Sequence, residues 1–183
     1  MRIIAGDYRG TVLADVGKGD AAAHLRPTSD RVRESLFSML THLDVIHGAR
    51  VLDLFAGTGA LGLEALSRGA QEVVFIENGK VAHKLVRENI EKLRARDIAR
   101  LTPQDATALG AWPMAPFDLV FLDPPYGKGM GQQALVAAAA GGWLAPEAVI
   151  VWEESAPMDA PEGFRRTDKR KFGDTHVTVL QWV

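Results

Sequence analysis

Cysteine is absent from all 183 residues. That excludes disulfides, a thiolate nucleophile, Cys-ligated zinc and Cys-held iron–sulfur clusters. The five histidines (His24, His42, His47, His83, His176) show no metal-ligand spacing, since even His42 and His47 are five apart and would not share a helix face. No metal is expected. No apolar run approaches the roughly 18 residues that span a bilayer. The opening Met1-Arg2-Ile3-Ile4-Ala5-Gly6-Asp7 puts a glycine and an acid where a signal peptide needs an apolar stretch. A soluble cytoplasmic protein with no membrane partner is the expectation. Excess charge is missing too: 21 basic against 23 acidic side chains give a net charge of −2, which does not mark a general nucleic-acid binder. What is present is a 47% apolar chain of one-domain length, enough to bury roughly 70% of its unfolded surface. Its chemistry must run on oxygen, nitrogen and backbone groups, or on a bound cofactor.

From Arg50 onward, short apolar strands alternate with amphipathic helices, the pattern of a parallel α/β sheet. Strands are expected at 51–55, 73–76, 100–102, 117–122, 148–152, 164–172 and 175–183, and helices at 60–68, 80–96 and 134–140. Gly173-Asp174 reads as a hairpin turn between the last two strands. Ahead of the sheet, Arg2-Ile3-Ile4 and Thr11-Val12-Leu13 suggest a small hairpin, followed by a Gly/Asp/Ala linker from Asp15 to Ala23. Thr28 or Ser29 can then cap a helix with Val32, Leu36, Met39, Leu40 and Leu43 on one side. Residues 1–27 are thus expected as arm and linker, and 28–183 as the main domain. Basic charge is clustered. Residues 80–100 carry seven basic side chains against three acids, which reads as a solvated helix face. Arg165, Arg166, Lys169, Arg170 and Lys171 surround Asp168, and exposed hairpin and phosphate contact both stay open.

Gly57-Thr58-Gly59-Ala60-Leu61-Gly62 follows the first strand and opens a helix, with Glu77 ending the second strand. Glycines let backbone pass close to a ligand, and an acid at that strand end can accept from two ribose hydroxyls. The motif alone leaves NAD and S-adenosylmethionine open. Asp53, four residues before Gly57, favours the latter: a carboxylate suits a cationic methionyl amine and repels a pyrophosphate. Asp123-Pro124-Pro125-Tyr126 follows the fourth strand. Two prolines fix the loop. Asp123 and the Pro124 carbonyl can accept both N–H bonds of a base's exocyclic amine, whose lone pair is otherwise delocalised into the ring. Tyr126 can stack on that base.

These features resemble a class I S-adenosylmethionine-dependent methyltransferase with the D-P-P-Y signature of amino-group methylation. More narrowly, 26–37 (RPTSDRVRESLF), 53–70 (DLFAGTGALGLEALSRGA) and 123–126 resemble the RsmD-type bacterial small-subunit rRNA guanine-N2 methyltransferases, as do Arg2 to Gly6 and Phe172 to Thr175. The resemblance implies a Rossmann-like sheet of seven strands, the last one antiparallel, with a small N-terminal hairpin and helix. It implies a cofactor pocket of Asp53, Phe55, Gly57, Thr58, Gly59, Glu77 and Asn78, with Asp105 and Ala106 toward the adenine. Thr28 begins the segment that would close over it. The catalytic loop would be Asp123, Pro124, Pro125 and Tyr126. The implied activity is methylation of guanine N2 in 16S rRNA, with rRNA or a small-subunit assembly particle as partner and a monomer as the working form. A DNA adenine-N6 or cytosine-N4 methyltransferase shares D-P-P-Y, but a separate target-recognition domain would be expected in it. An NAD-linked oxidoreductase would lack the Pro-Pro loop, and an idle RNA-binding module would transfer no methyl group.

Overall fold

In the computed structural model, residues 1–16 and 28–183 are described. One seven-stranded sheet has the order β3-β2-β1-β4-β5-β7-β6. Its strands are β1 (Arg50–Leu54), β2 (Glu72–Glu77), β3 (Ala99–Pro103), β4 (Phe117–Leu122), β5 (Leu144–Glu154), β6 (Phe164–Phe172) and β7 (Thr175–Trp182). The first five pair in parallel, and β7 runs antiparallel to both β5 and β6. Only the last strand is reversed, as the resemblance implies. The helices are α1 (Asp30–His42), α2 (Ala60–Ser67), α3 (Lys80–Lys92) and α4 (Met130–Ala140).

The central strands are mostly apolar because both faces of the sheet are covered. Val51, Phe121, Val151 and Val179 join Leu36, Leu63 and Val86 on the face of α1, α2 and α3. Leu52, Val120, Ile150 and Leu180 face the other way, onto Ala134, Leu135 and Ala138 of α4. By the same alternation Asp53 points to the α1–α3 face, and it is the one charge among the buried residues of β1. Gly62 sets the approach of α2 to β2. A Cβ there would stand 2.5 Å from the Phe75 ring, 2.7 Å from Val73 and 3.0 Å from Asp53 Oδ2. Gly62→Ala is therefore expected to destabilise by about 1–3 kcal/mol through overpacking, read as a lower urea midpoint. An unchanged midpoint would mean that α2 shifts without cost.

The N-terminal hairpin forms, held by Ile3 N to Thr11 O (2.9 Å), Gly10 N to Ile3 O (2.9 Å) and one bridge between Arg2 and Val12. It is fastened to α2 by Glu64, whose fully buried carboxylate accepts from Ile4 N (2.9 Å) and Ala5 N (3.1 Å) and pairs with Arg68 (2.9 Å). The linker expected over Asp15 to Ala23, and Arg26 and Pro27 after it, fall mostly on 17–27, outside the described residues.

Four local expectations are corrected. The buried side of α1 is Arg33, Leu36, Phe37 and Leu40, while Leu43 is the exposed C-cap. The apolar stripe is rotated because Phe37 reaches the core against Phe121, with ring centroids 5.5 Å apart. The α3 helix ends at Lys92 rather than Arg96, because Arg94 takes φ 51° and lets Ala95 N bond back to Ile90 O. Its basic residues are exposed, as a solvated face requires. The α4 helix begins four residues earlier, at Met130, behind Gly129. The β5 strand begins at Leu144, four residues before the expected Ala148, and passes through Glu147 at φ 63° where the pairing with β4 shifts register.

Candidate active site

The carboxyl ends of β1, β2 and β4 open into a cavity of ≈ 550 Å³, the place where open α/β sheets hold ligands. Its floor is the turn after β1. Phe55 (φ 60°), Gly57 (φ 58°) and Gly59 (φ 80°) are all left-handed, so the non-glycine Phe55 carries backbone strain at the cavity wall. Glu77 holds this turn. Its Oε2 accepts from Gly57 N (2.9 Å), and its Oε1 accepts from Asn78 N (2.9 Å) and Gly79 N (2.8 Å). Asn89 of α3 adds a second clasp: its amide bonds Thr58 O (2.9 Å) and both Ala14 N (2.6 Å) and Ala14 O (3.0 Å). The arm is thereby tied to the glycine turn.

The structure brings Asp53, Phe55, Gly57, Thr58, Glu77 and Asn78 to one wall, and Thr28 and Ala106 also line the cavity. Two expected cofactor residues stand apart. Gly59 lies behind the wall, where it caps α2 with Phe75 Cε1 3.3 Å from a would-be Cβ. Asp105 is exposed and outside the lining. Its Oδ1 caps a short 3₁₀ turn (Ala106–Ala108), accepting from Thr107 N (2.8 Å) and Thr107 Oγ1 (2.7 Å). The wall there is Gln104 and Ala106. Ser29 is the cap of α1, accepting from Val32 N at 3.3 Å, whereas Thr28 donates to Glu153 Oε2, also at 3.3 Å.

Asp53 is buried, and its Oδ2 accepts from Gly62 N at 2.9 Å. Burial pushes its carboxyl well above the usual carboxylate range; the Gly62 N–H pulls back, and Glu77 and Glu153 add to the rise. Asp123, Pro124, Pro125 and Tyr126 line the opposite side, with Pro124 buried and Pro125 exposed. Asp123 is also held well above the usual range, first by burial and then by the charges of Glu153, Asp53 and Glu154.

Sequence reading missed three contributors, Glu153, Met1 and Lys128, and left a fourth, Arg33, open. Glu153 stands beside Asp123, because Leu122 of β4 pairs with Trp152 of β5. It is pushed up to about 7 by burial, with the Thr28 hydroxyl pulling it down. The signal was visible as Glu153-Glu154 ending an apolar strand, as Asp123 follows β4. Arg33, which the sequence leaves open between solvated and functional charge, is fully buried and lines the cavity. Its Nη2 bonds Arg2 O and Asp30 Oδ1, both at 2.7 Å. Burial holds it below its ordinary value, against the attraction of Glu64 and Asp30. Met1 and Lys128 complete the rim. Among the described residues no group of His, Asp and Glu is arranged to hold a metal ion, and no helix is long and apolar enough to cross a membrane.

The cavity wall carries Asp15, Asp53, Glu77 and Asp123 against Arg33, Lys128 and the Met1 ammonium, which pairs with Asp15 at 3.6 Å. Acids crowded around Asp53 and Glu77 fit a cationic ligand with hydroxyls, and disfavour a pyrophosphate. S-adenosylmethionine meets that description.

The family described as Conserved hypothetical protein 95 matches residues 1–181. The chain is 36% identical to Ribosomal RNA small subunit methyltransferase D of Haemophilus influenzae, over 99% of its own length and 93% of the relative's. It is 39% identical to the Escherichia coli K12 protein of that name, over 88% of this chain and 78% of that one. A solved structure described as "Putative methyltransferase yhhF from Escherichia coli" superposes with a TM-score of 0.83 at 35% identity, covering 100% of this chain and 97% of the other.

Proposed function

Because the chain belongs to the Conserved hypothetical protein 95 family, we propose that it transfers a methyl group from S-adenosylmethionine to the exocyclic N2 amine of a guanine in small-subunit rRNA. The observation that carries this reading is one cavity lined both by Asp53 and Glu77 and by the Asp123-Pro124-Pro125-Tyr126 loop. Its two ends suit a cationic nucleoside and a base amine.

Asp53 would hold the methionyl amine, with Gly57 and Thr58 giving close backbone approach, and Glu77 would accept from the ribose hydroxyls. When bound, S-adenosylmethionine supplies a methyl group activated by its sulfonium. The chain's own residues do the rest. Tyr126 stacks on the base and fixes its plane. Asp123 and the Pro124 carbonyl accept the two N–H bonds of the amine, turning its lone pair out of the ring plane. In its ionised form Asp123 then takes on Oδ the proton that the methylated nitrogen sheds, a transfer that its raised proton affinity favours.

Incubation with labelled S-adenosylmethionine and rRNA from a methylation-deficient strain is expected to yield labelled N2-methylguanosine. Label in adenine N6 or cytosine N4 of DNA would move the assignment to the DNA-modifying alternative. Binding gives an independent check. At 100 times its dissociation constant, S-adenosylmethionine or its demethylated product should add about 2.7 kcal/mol, a rise of about 5–10 °C for a chain of this size. Equal stabilisation by NAD would overturn the cofactor assignment.

A further inference from the structure

The basic cluster of β6 is divided by the sheet into two groups at different heights. Leu122 of β4 pairs with Trp152 of β5, Trp152 with Thr178 of β7, and Thr178 with Lys169 of β6. The next row holds Glu153, Val177 and Arg170, level with Asp123 just beyond β4. The row after that holds Glu154, His176 and Lys171, level with Pro124. Since β6 is antiparallel to β7, and β7 to β5, the strand runs the same way as β4 and its last residues lie at the cavity end. Three inter-strand spacings of about 4.8 Å separate β6 from β4, or about 14 Å.

Arg165 and Arg166 lie lower. They are level with Gln181 and Leu180, hence with Val149 and Ile150 in the body of β5, and a register shift between Arg166 and Asp168 adds a further residue of separation. They are also engaged locally: Arg165 bonds Gln181, and Arg166 bonds Met158 O (3.3 Å) and pairs with Asp159 (3.8 Å). At the upper end Arg170 pairs with Asp168 at 2.8 Å, while Lys169 and Lys171 are exposed and form no ion pair with the described residues.

We propose that the upper end of β6, through Lys169, Arg170 and Lys171, is an RNA-contact surface that holds backbone phosphates flanking the base placed at Asp123. The inference rests on the methyl-transfer reading above and adds where the substrate lies. Charge complementarity argues for it: the cavity wall is acidic and would repel phosphates, so the polyanion must be held by cations beside it. Lys128 at the rim and the upper end of β6 supply them at the same end of the sheet. The competing role for charge on an edge strand is to block pairing with another chain. That role draws no distinction between the two ends of β6 and predicts no effect on RNA.

The test is a salt titration of binding to deproteinised small-subunit rRNA from a methylation-deficient strain, alongside methyl-transfer kinetics on the same RNA. Lys169→Ala/Lys171→Ala should weaken binding on the order of tenfold at 0.1 M salt and reduce the salt slope by about 1.4, at roughly 0.7 per single-strand contact. Turnover at saturating RNA and the cofactor-induced rise in Tm should stay at wild-type values. Arg165→Ala/Arg166→Ala should reduce the slope by less than half as much. An unchanged slope in the lysine pair, with wild-type enzyme active on this RNA, would overturn the β6 assignment alone. Wild-type enzyme that leaves guanine N2 unmodified both in this RNA and in small-subunit particles from the same strain would overturn the functional reading beneath it.

Discussion

Asp123→Ala is expected to lower kcat by about 100- to 1000-fold, the usual loss when one acceptor or donor acting only in the transition state is removed. S-adenosylmethionine affinity should stay within about twofold, because in the proposed reading Asp123 would face the amine while Asp53 and Glu77 would face the cofactor. The fold should tolerate the change. Asp123 lies beyond the last residue of β4, and losing it removes one of several crowded carboxyls. Asp123→Asn keeps a carbonyl oxygen as acceptor but cannot take a proton, so its activity should lie between alanine and wild type. Single-turnover methyl transfer with saturating RNA is the measurement. Near-normal turnover in Asp123→Ala would reduce the D-P-P-Y loop to a rigid turn.

Much of this arrangement was legible in the sequence because the parallel sheet imposes it. An apolar run buried on both faces must end where the backbone leaves the sheet, so an acid directly after such a run lies at the ligand end. That logic locates Asp123, and Glu77 at the end of β2. It applies equally to Glu153, which went unread because Glu153-Glu154 carries no proline or glycine to mark it as a loop. Arg33 was hidden for a different reason. Its neighbours in sequence, Arg31 and Glu34, are exposed, and only the hairpin folding back onto α1 buries it against Arg2 O. Long-range contacts of this kind leave no local pattern. Asp105 was readable either as a ligand or as the cap of a short helix, and in the fold it takes the cap, accepting from Thr107 N. The β6 cluster was legible as charge but not as two groups; the register of β7 was needed to separate them.

Three carboxyls of raised proton affinity, Asp53, Asp123 and Glu153, make a prediction about pH and about what Asp53 contributes. In the unfolded chain they titrate in the ordinary range near 4. In the fold Asp53 and Asp123 lie well above that range and Glu153 is pushed up to about 7. Between these limits the folded chain binds more protons than the unfolded one, so its stability falls as pH rises. For Glu153 alone the full loss is on the order of 3 kcal/mol across the interval. The cofactor-free protein should therefore melt lower at pH 8 than at pH 6, unlike a protein limited by acid denaturation over this range. Asp53→Asn removes one buried carboxyl yet keeps an oxygen to accept from Gly62 N. It should raise the cofactor-free Tm at pH 8, with the gain shrinking toward pH 5. Its cofactor affinity should fall about 10- to 100-fold, the value of a lost charge-assisted hydrogen bond of roughly 1.5–3 kcal/mol. Linkage fixes one more sign. A methionyl ammonium beside Asp53 favours the ionised carboxylate, so binding releases a proton and wild-type affinity should strengthen as pH rises toward the raised range in which Asp53 ionises. In Asp53→Asn that trend should be lost. Calorimetric titrations in two buffers of different ionisation enthalpy read the proton release directly, and equal release by wild type and Asp53→Asn would show that the cofactor amine is held by another group.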